Sequence, residues 1–126
     1  MRCLDKIAHR EEAEMDTTDC KQLCWECRTE CQETLTAHCL EMGGDHVAPE
    51  HVKLMLDCIE ICQTAADFMV RKSSLHPYIC QACAVVCEAC AQTCEEFEEE
   101  KMKHCAETCR RCAESCREMS LMKKAA

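Results

Sequence analysis

Five cysteines in the second half of the chain follow one another at gaps of three, four, three and four residues: Cys80, Cys83, Cys87, Cys90 and Cys94. In an α-helix this spacing places all five within an arc of roughly 80°, along about 21 Å of the helix. Thiolates are strong ligands for soft metal ions. The spacing therefore predicts a helix whose inward face binds metal through sulfur.

Three other stretches of the chain repeat this pattern. Two cysteines one helical turn apart have Cβ atoms about 5–6 Å apart, so their sulfurs can converge on one ion. Cys39 lies roughly 80° from Cys31 on a helical wheel, at the edge of its stripe, and we include it among the predicted ligands. With the five above, the predicted metal ligands are Cys20, Cys24, Cys27, Cys31, Cys39, Cys58, Cys62, Cys105, Cys109, Cys112 and Cys116.

Four helices must carry these stripes. Asp16 is a suitable N-cap for the first helix and Gly43 a suitable end, while Pro49 and Pro77 suit the first positions of the next two. Glutamates one turn apart between residues 95 and 100 repel each other, which favours a break there over one long helix. We therefore predict helices at about 17–42, 49–72, 77–97 and from that break to about 121.

The pattern indicates an all-α fold, because no segment alternates with the period of two that marks a β-strand. Helices with short connections pack as an antiparallel up-down-up-down four-helix bundle, here with a Cys-lined core. We predict a single domain, 1–126, with a short N-terminal helix at 1–15, the bundle at 16–121 and a tail at 122–126. Cys3 is isolated from the other cysteines.

The net charge of the metal–thiolate sites and the number of thiolates that each ion needs favour Cu(I). A tetrathiolate zinc site carries a net charge of about −2, and a row of such sites in a dry core is costly to desolvate. Cu(I) is a monovalent soft ion that accepts bridging thiolates, so we expect on the order of one ion per core Cys, with roughly one proton released per ion. An iron–sulfur, ferredoxin-like electron carrier and a Zn/Cd metallothionein-like buffer remain as alternatives. The common ferredoxin cysteine motifs do not occur in the sequence.

Weaker soft ligands gather at one end of the predicted bundle. Imidazole and thioether groups there suit metal uptake, because they bind Cu(I) less tightly than thiolate and can pass ions inward. The candidate uptake residues at this end are His38, Met42, His51, Met55, Met102 and His104, and His46 lies near them. The opposite end gathers Cys20, Met69, His76 and Met119. The Glu-rich turn suggests no site.

Composition narrows the possible functions further. A net charge of −9 argues against nucleic-acid binding, and no apolar run is long enough to span a membrane. The N-terminus shows no export signal, so we expect a reducing, cytoplasmic location, where cysteine-rich patterns more often indicate metal than disulfides. The sequence has no nucleophile paired with a base and an orienting group, and we predict that the protein is not an enzyme.

The four thiol stripes and the Met/His-rich end resemble the four-helix-bundle copper storage proteins (Csp), in particular their cytosolic, leaderless branch. The resemblance covers about residues 16–121. It implies storage of many Cu(I) ions along the bundle axis, uptake at the Met/His-rich end and a homotetramer. A copper chaperone or an efflux system is the partner that such a function implies.

Overall fold

The computed structural model describes the backbone of residues 2–122 and the side chains of residues 17–122. Helix α1 spans Arg2–Glu33 and continues as a π-helix over Thr34–Cys39 and an α-helical turn over Leu40–Met42. A 3₁₀ turn follows at Gly44–Val47, and then come α2 (Pro49–Val70), α3 (His76–Cys94) and α4 (Glu100–Ser120). The described backbone contains no strand, so the all-α prediction is confirmed.

The connections between helices follow from residues that cannot continue a helix. Gly43 and Gly44 have φ angles of 68° and 55°, in the left-handed region that glycine tolerates best. Pro49 and Pro77 each lie in the first turn of their helix, where a missing N–H costs little. The predicted break before α4 is confirmed, because α3 ends at Cys94 and α4 begins at Glu100.

The first helix differs from the prediction at both of its ends. It continues without a break through Asp16, so the predicted boundary at that residue is wrong. Residues 2–33 contain no Gly or Pro to end the helix. At the other end the backbone N–H of Leu40 donates to the carbonyl of Leu35, a bond across five residues that defines the wider π-helical turn.

The helices form a four-membered bundle in which α1 packs against α2 and α4, and α3 packs against the same two helices. This arrangement confirms the predicted four-helix bundle. Small side chains also belong to the core, since Ala65, Ala84 and Ala113 are buried. Partly buried residues such as Trp25 and Ile59 close the core on the outside. None of the described helices is long and apolar enough to cross a membrane.

Candidate metal centre

Each of the sixteen cysteines with a described side chain is buried with no solvent exposure, and none of them forms a disulfide. The four helices therefore turn their predicted thiol stripes toward a common axis. Cys3 and His9 lie outside the described side chains. In this core, sulfur takes the place of the branched aliphatic side chains that usually fill a bundle.

Fifteen of these thiols, all except Cys39, form what we call the thiol column. Sulfur–sulfur distances of 3.5–4.0 Å connect fourteen of them without interruption from Cys20 to Cys94. The fifteenth, Cys80, has its sulfur within 4.8 Å of those of Cys20 and Cys116. No sulfur of the column reaches solvent, so an ion inside it is surrounded by sulfur along the whole length of the bundle.

The column already has the dimensions of a metal–thiolate array. A metal–sulfur bond of about 2.3 Å sets neighbouring sulfurs about 3.8–4.0 Å apart in tetrahedral or trigonal sites and about 4.6 Å apart in linear ones. Four groups of four cysteines have all their sulfurs within 4.8 Å of one another: Cys24, Cys83, Cys112 and Cys116; Cys27, Cys31, Cys58 and Cys109; Cys27, Cys58, Cys62 and Cys87; Cys62, Cys83, Cys87 and Cys112. Because these groups share members, ions bound in them are bridged by common thiolates.

Cys31 and Cys62, near the centre of the column, hold their protons tightly. Hydrogen bonding with other thiols, first of all Cys105, and burial raise the pKa of Cys31 well above its usual range. The pKa of Cys62 is raised in the same way, first of all by Cys112. Metal ions must therefore displace protons from these sulfurs as they bind.

Cys39 belongs to a different group, which we call the mouth: Cys39, His51, Met55 and Met102. Its sulfur lies 3.6 Å from His51 Nε2, 3.8 Å from Met102 Sδ and 4.0 Å from Met55 Sδ. All four side chains are buried. Burial raises the pKa of Cys39 to about 11, so its thiol is also protonated at neutral pH. One thiol, one imidazole and two thioethers together form a weaker soft-metal site than the column does.

The π-helix explains why Cys39 faces inward although the helical wheel placed it at the edge of its stripe. A π-helical turn contains more residues than an α-helical turn, and this delays the rotation of the residues that follow. Cys39 thereby returns to the inward face, while Met42 is turned away and is 52% exposed. The wheel assumed α-helical geometry throughout and therefore placed both residues incorrectly.

Thr93 and Phe97, which the cysteine spacing does not single out, position His51. Its Nδ1 lies 3.0 Å from Thr93 Oγ1, and its ring lies 5.0 Å from the ring of Phe97. When Nδ1–H donates to the threonine hydroxyl, the lone pair of Nε2 faces Cys39. Burial lowers the pKa of His51, which keeps the imidazole neutral and able to bind metal. Thr93 is adjacent to Cys94 in the sequence, but its chain position alone gives no sign of this contact.

A carboxylate organises the outer side of this end. Glu99 Oε1 lies 3.0 Å from His38 Nε2 and 2.5 Å from His46 Nε2. Hydrogen bonds from His38 and then His46 lower the pKa of Glu99 to about 2. The ring of His46 stacks on Phe97 at 4.1 Å. The Glu-rich turn, for which the sequence suggested no site, thus contributes Glu99 to the contacts at this end of the bundle.

Two of the predicted uptake residues lie apart from the mouth. Met42 is on the exposed final turn of the first helix. The side chain of His104 is 61% exposed, and its Nε2 lies 3.5 Å from Glu30 Oε1 in a groove between α1 and α4. The structure thus brings together His51, Met55 and Met102, and holds His38 beside them through Glu99.

Comparison with known proteins agrees with this geometry. No curated protein sequence matches the chain. Among solved structures, the Nmul_A1745 protein from Nitrosospira multiformis is 42% identical, with 86% of this chain and 97% of that chain covered and a TM-score of 0.82. The Cu(I)-bound copper storage protein BsCsp3 from Bacillus is 32% identical (83% and 98% covered, TM-score 0.78).

A cytosolic copper storage protein from Streptomyces lividans, in a structure with five coppers, is 26% identical (88% and 97% covered, TM-score 0.80). The family model described as copper storage protein matches residues 7–121, which is most of the chain. The thiol column and the family match support the same conclusion: this chain belongs to the copper storage protein (Csp) family.

Proposed function

We propose that this protein stores Cu(I), with the thiolates of the column as ligands and on the order of one ion per core Cys. The observation that carries the proposal is the uninterrupted series of buried sulfurs from Cys20 to Cys94. BsCsp3 is described as Cu(I)-bound, and the Streptomyces protein has been loaded with ten copper equivalents. The comparisons give no support to an iron–sulfur carrier or to a Zn/Cd buffer.

Uptake occurs at the mouth. An ion arriving from solvent meets the imidazole and thioether groups around Cys39 before it reaches Cys94 and Cys105, whose sulfurs are 3.9 Å apart. Since thiolate binds Cu(I) more tightly than imidazole or thioether, each step inward is favourable. His38, which Glu99 holds beside the mouth, serves as an outer ligand in this scheme, whereas Met42 and His104 lie apart from it.

We also propose where the protein acts and with which partners. The Streptomyces relative is described as cytosolic, which supports a cytoplasmic location for this chain. Storage needs no catalytic group, so the protein acts as a binding protein and not as an enzyme. Assembly as a homotetramer, and exchange of copper with a chaperone or an efflux system, complete the proposal.

Anaerobic titration with Cu(I) in competition with a chromophoric chelator tests the function. We expect binding to continue beyond about a dozen ions per chain, with roughly one proton released per ion into a weak buffer. Binding that stops at four ions or fewer, or visible cluster absorption after reconstitution with iron and sulfide, would contradict copper storage.

A further inference from the structure

The thiol column has a second end, opposite the mouth. There α1 and α3 contribute Cys20 and Cys80, and α4 contributes Cys116, with all three sulfurs within 4.8 Å of one another. We call these three residues the terminal triad. All three are fully buried, so protein must lie between them and solvent.

Two methionines lie at the same end of the bundle as the terminal triad. Met119 follows Cys116 by three residues on α4 and is buried, and Met69 is buried in the last turn of α2. Leucine is the usual residue at such positions in a bundle core. Two buried methionines at the same end as the triad extend the series of soft ligands outward from the column.

One ring nitrogen of His76 is buried without a hydrogen-bond partner. Its Nδ1 lies 2.9 Å from the carbonyl oxygen of Ser73. A carbonyl can only accept, so Nδ1 carries the proton and Nε2 has a free lone pair in the neutral ring. That Nε2 is buried and has no hydrogen-bond partner, and it is the one side-chain nitrogen or oxygen of this kind in the described part of the chain. A buried acceptor without a partner costs stability unless something binds to it.

A surface pocket lies beside His76. The pocket has a volume of approximately 410 Å³ and is lined by Met69, His76 and Met122 among others. Lys21 and Lys72 are its charged lining residues, whereas the outer side of the mouth carries Glu99. The pocket therefore favours an anionic ligand, and the mouth favours a cation.

From the placement of these groups at one end of the bundle we infer that the end with His76 is a second copper port, at which Cu(I) moves from the terminal triad to His76 Nε2 and the methionine thioethers. From there an anionic thiol or chelator removes it. This inference rests on the proposed storage function. Copper remains Cu(I) throughout: one Cu–S bond breaks as a Cu–N bond forms, and the released thiolate takes a proton from solvent.

Removal kinetics from fully loaded protein test the port. The substitution His76→Asn keeps a donor toward the Ser73 carbonyl but removes the Nε2 ligand. The probe is bathocuproine disulfonate, an anionic chelator whose Cu(I) complex absorbs visible light. We expect His76→Asn to slow removal about tenfold, as for other losses of one metal-orienting group, while the number of ions stored changes by no more than about one.

The matched control is Leu75→Ala, which alters the exposed residue next to His76 without touching an imidazole or a thioether. It should release copper at the wild-type rate. If circular dichroism shows that His76→Asn does not fold, the volume-conserving substitution Met69→Leu takes its place and should also slow removal.

A direct measurement of the nitrogen accompanies the kinetics. In long-range ¹H–¹⁵N spectra the Nε2 signal of His76 should shift when Cu(I) is added. An unchanged Nε2 signal, or equal removal rates for wild type and His76→Asn, would overturn the second port. Failure of the wild-type protein to store more than about four ions would instead overturn the storage function itself.

Discussion

Cys39 and Cys62 show how two buried thiols of the same chain acquire different chemistry from their neighbours. The sulfur of Cys62 lies within 4.0 Å of four other cysteine sulfurs, the nearest being Cys87 at 3.6 Å. The sulfur of Cys39 has an imidazole and two thioethers around it. The first environment favours tight, bridged binding, and the second favours transient binding of one ion.

Substituting each of the two residues by alanine separates these roles. Cys62→Ala should reduce the number of stored Cu(I) ions by more than one, because its thiolate bridges several of them. Cys39→Ala should reduce that number by about one at most but should slow loading. Chelator competition gives the number of ions, and stopped-flow absorbance gives the loading rate. Equal losses of capacity with unchanged loading would contradict the assignment of Cys39 to the mouth.

Among the elements, the π-helix at Thr34–Cys39 has the largest effect on the site. Single wide turns of this kind arise when one residue more than an α-helix accommodates is present, and they are frequent at functional sites. Cys31 and Cys39 are eight residues apart. If one residue between them were deleted, the two cysteines would be seven residues apart. In an α-helix their side-chain directions would then differ by about 20° around the helix axis.

Deleting Thr36, which is exposed, should therefore turn the π-helix into α-helix and keep Cys39 directed inward. We expect helical content, loading rate and capacity close to those of the wild type. The matched control deletes Glu26, which is exposed within regular α-helix, and rotates the flanking halves of the stripe by about 100° relative to each other. That variant should melt at a lower temperature and store fewer ions. Equal behaviour of the two deletions in thermal melts and titrations would contradict this account.

The elements also show which features the sequence could predict. Regular gaps of three and four fixed the inward face of each helix, so the fold and the column followed from spacing alone. Spacing failed at Cys39 and Met42, because a helical wheel cannot represent a π-helical turn. It also gave no sign of Thr93, Phe97 and Glu99, whose parts in the site depend on contacts between distant segments.

For the molecule as a whole, the core must hold together before any metal arrives. Free thiols pack as small apolar groups, and buried alanines together with flanking side chains such as Ile59 and Ile79 add aliphatic contacts. The outer surface is supported by ion pairs between neighbouring helices, among them Arg110 with Glu95 at 2.8 Å and Arg117 with Glu88. These contacts need no copper.

We therefore expect the metal-free protein to be helical. Far-ultraviolet circular dichroism under reducing, anaerobic conditions should show the helical minima, and the melting temperature should rise as Cu(I) is added, because bound ligand stabilises the folded state. A random-coil spectrum without metal would show that copper is required for folding and would contradict this view of the core.

The thiol column is sealed along its sides, and this determines the order in which its contents can move. Ions in so narrow a column cannot exchange places. With access at the mouth alone, the ion that binds last is released first, and the ions bound earliest remain deepest in the column. With a second outlet beside His76, the ions bound earliest are released first, while new ions bind at the mouth.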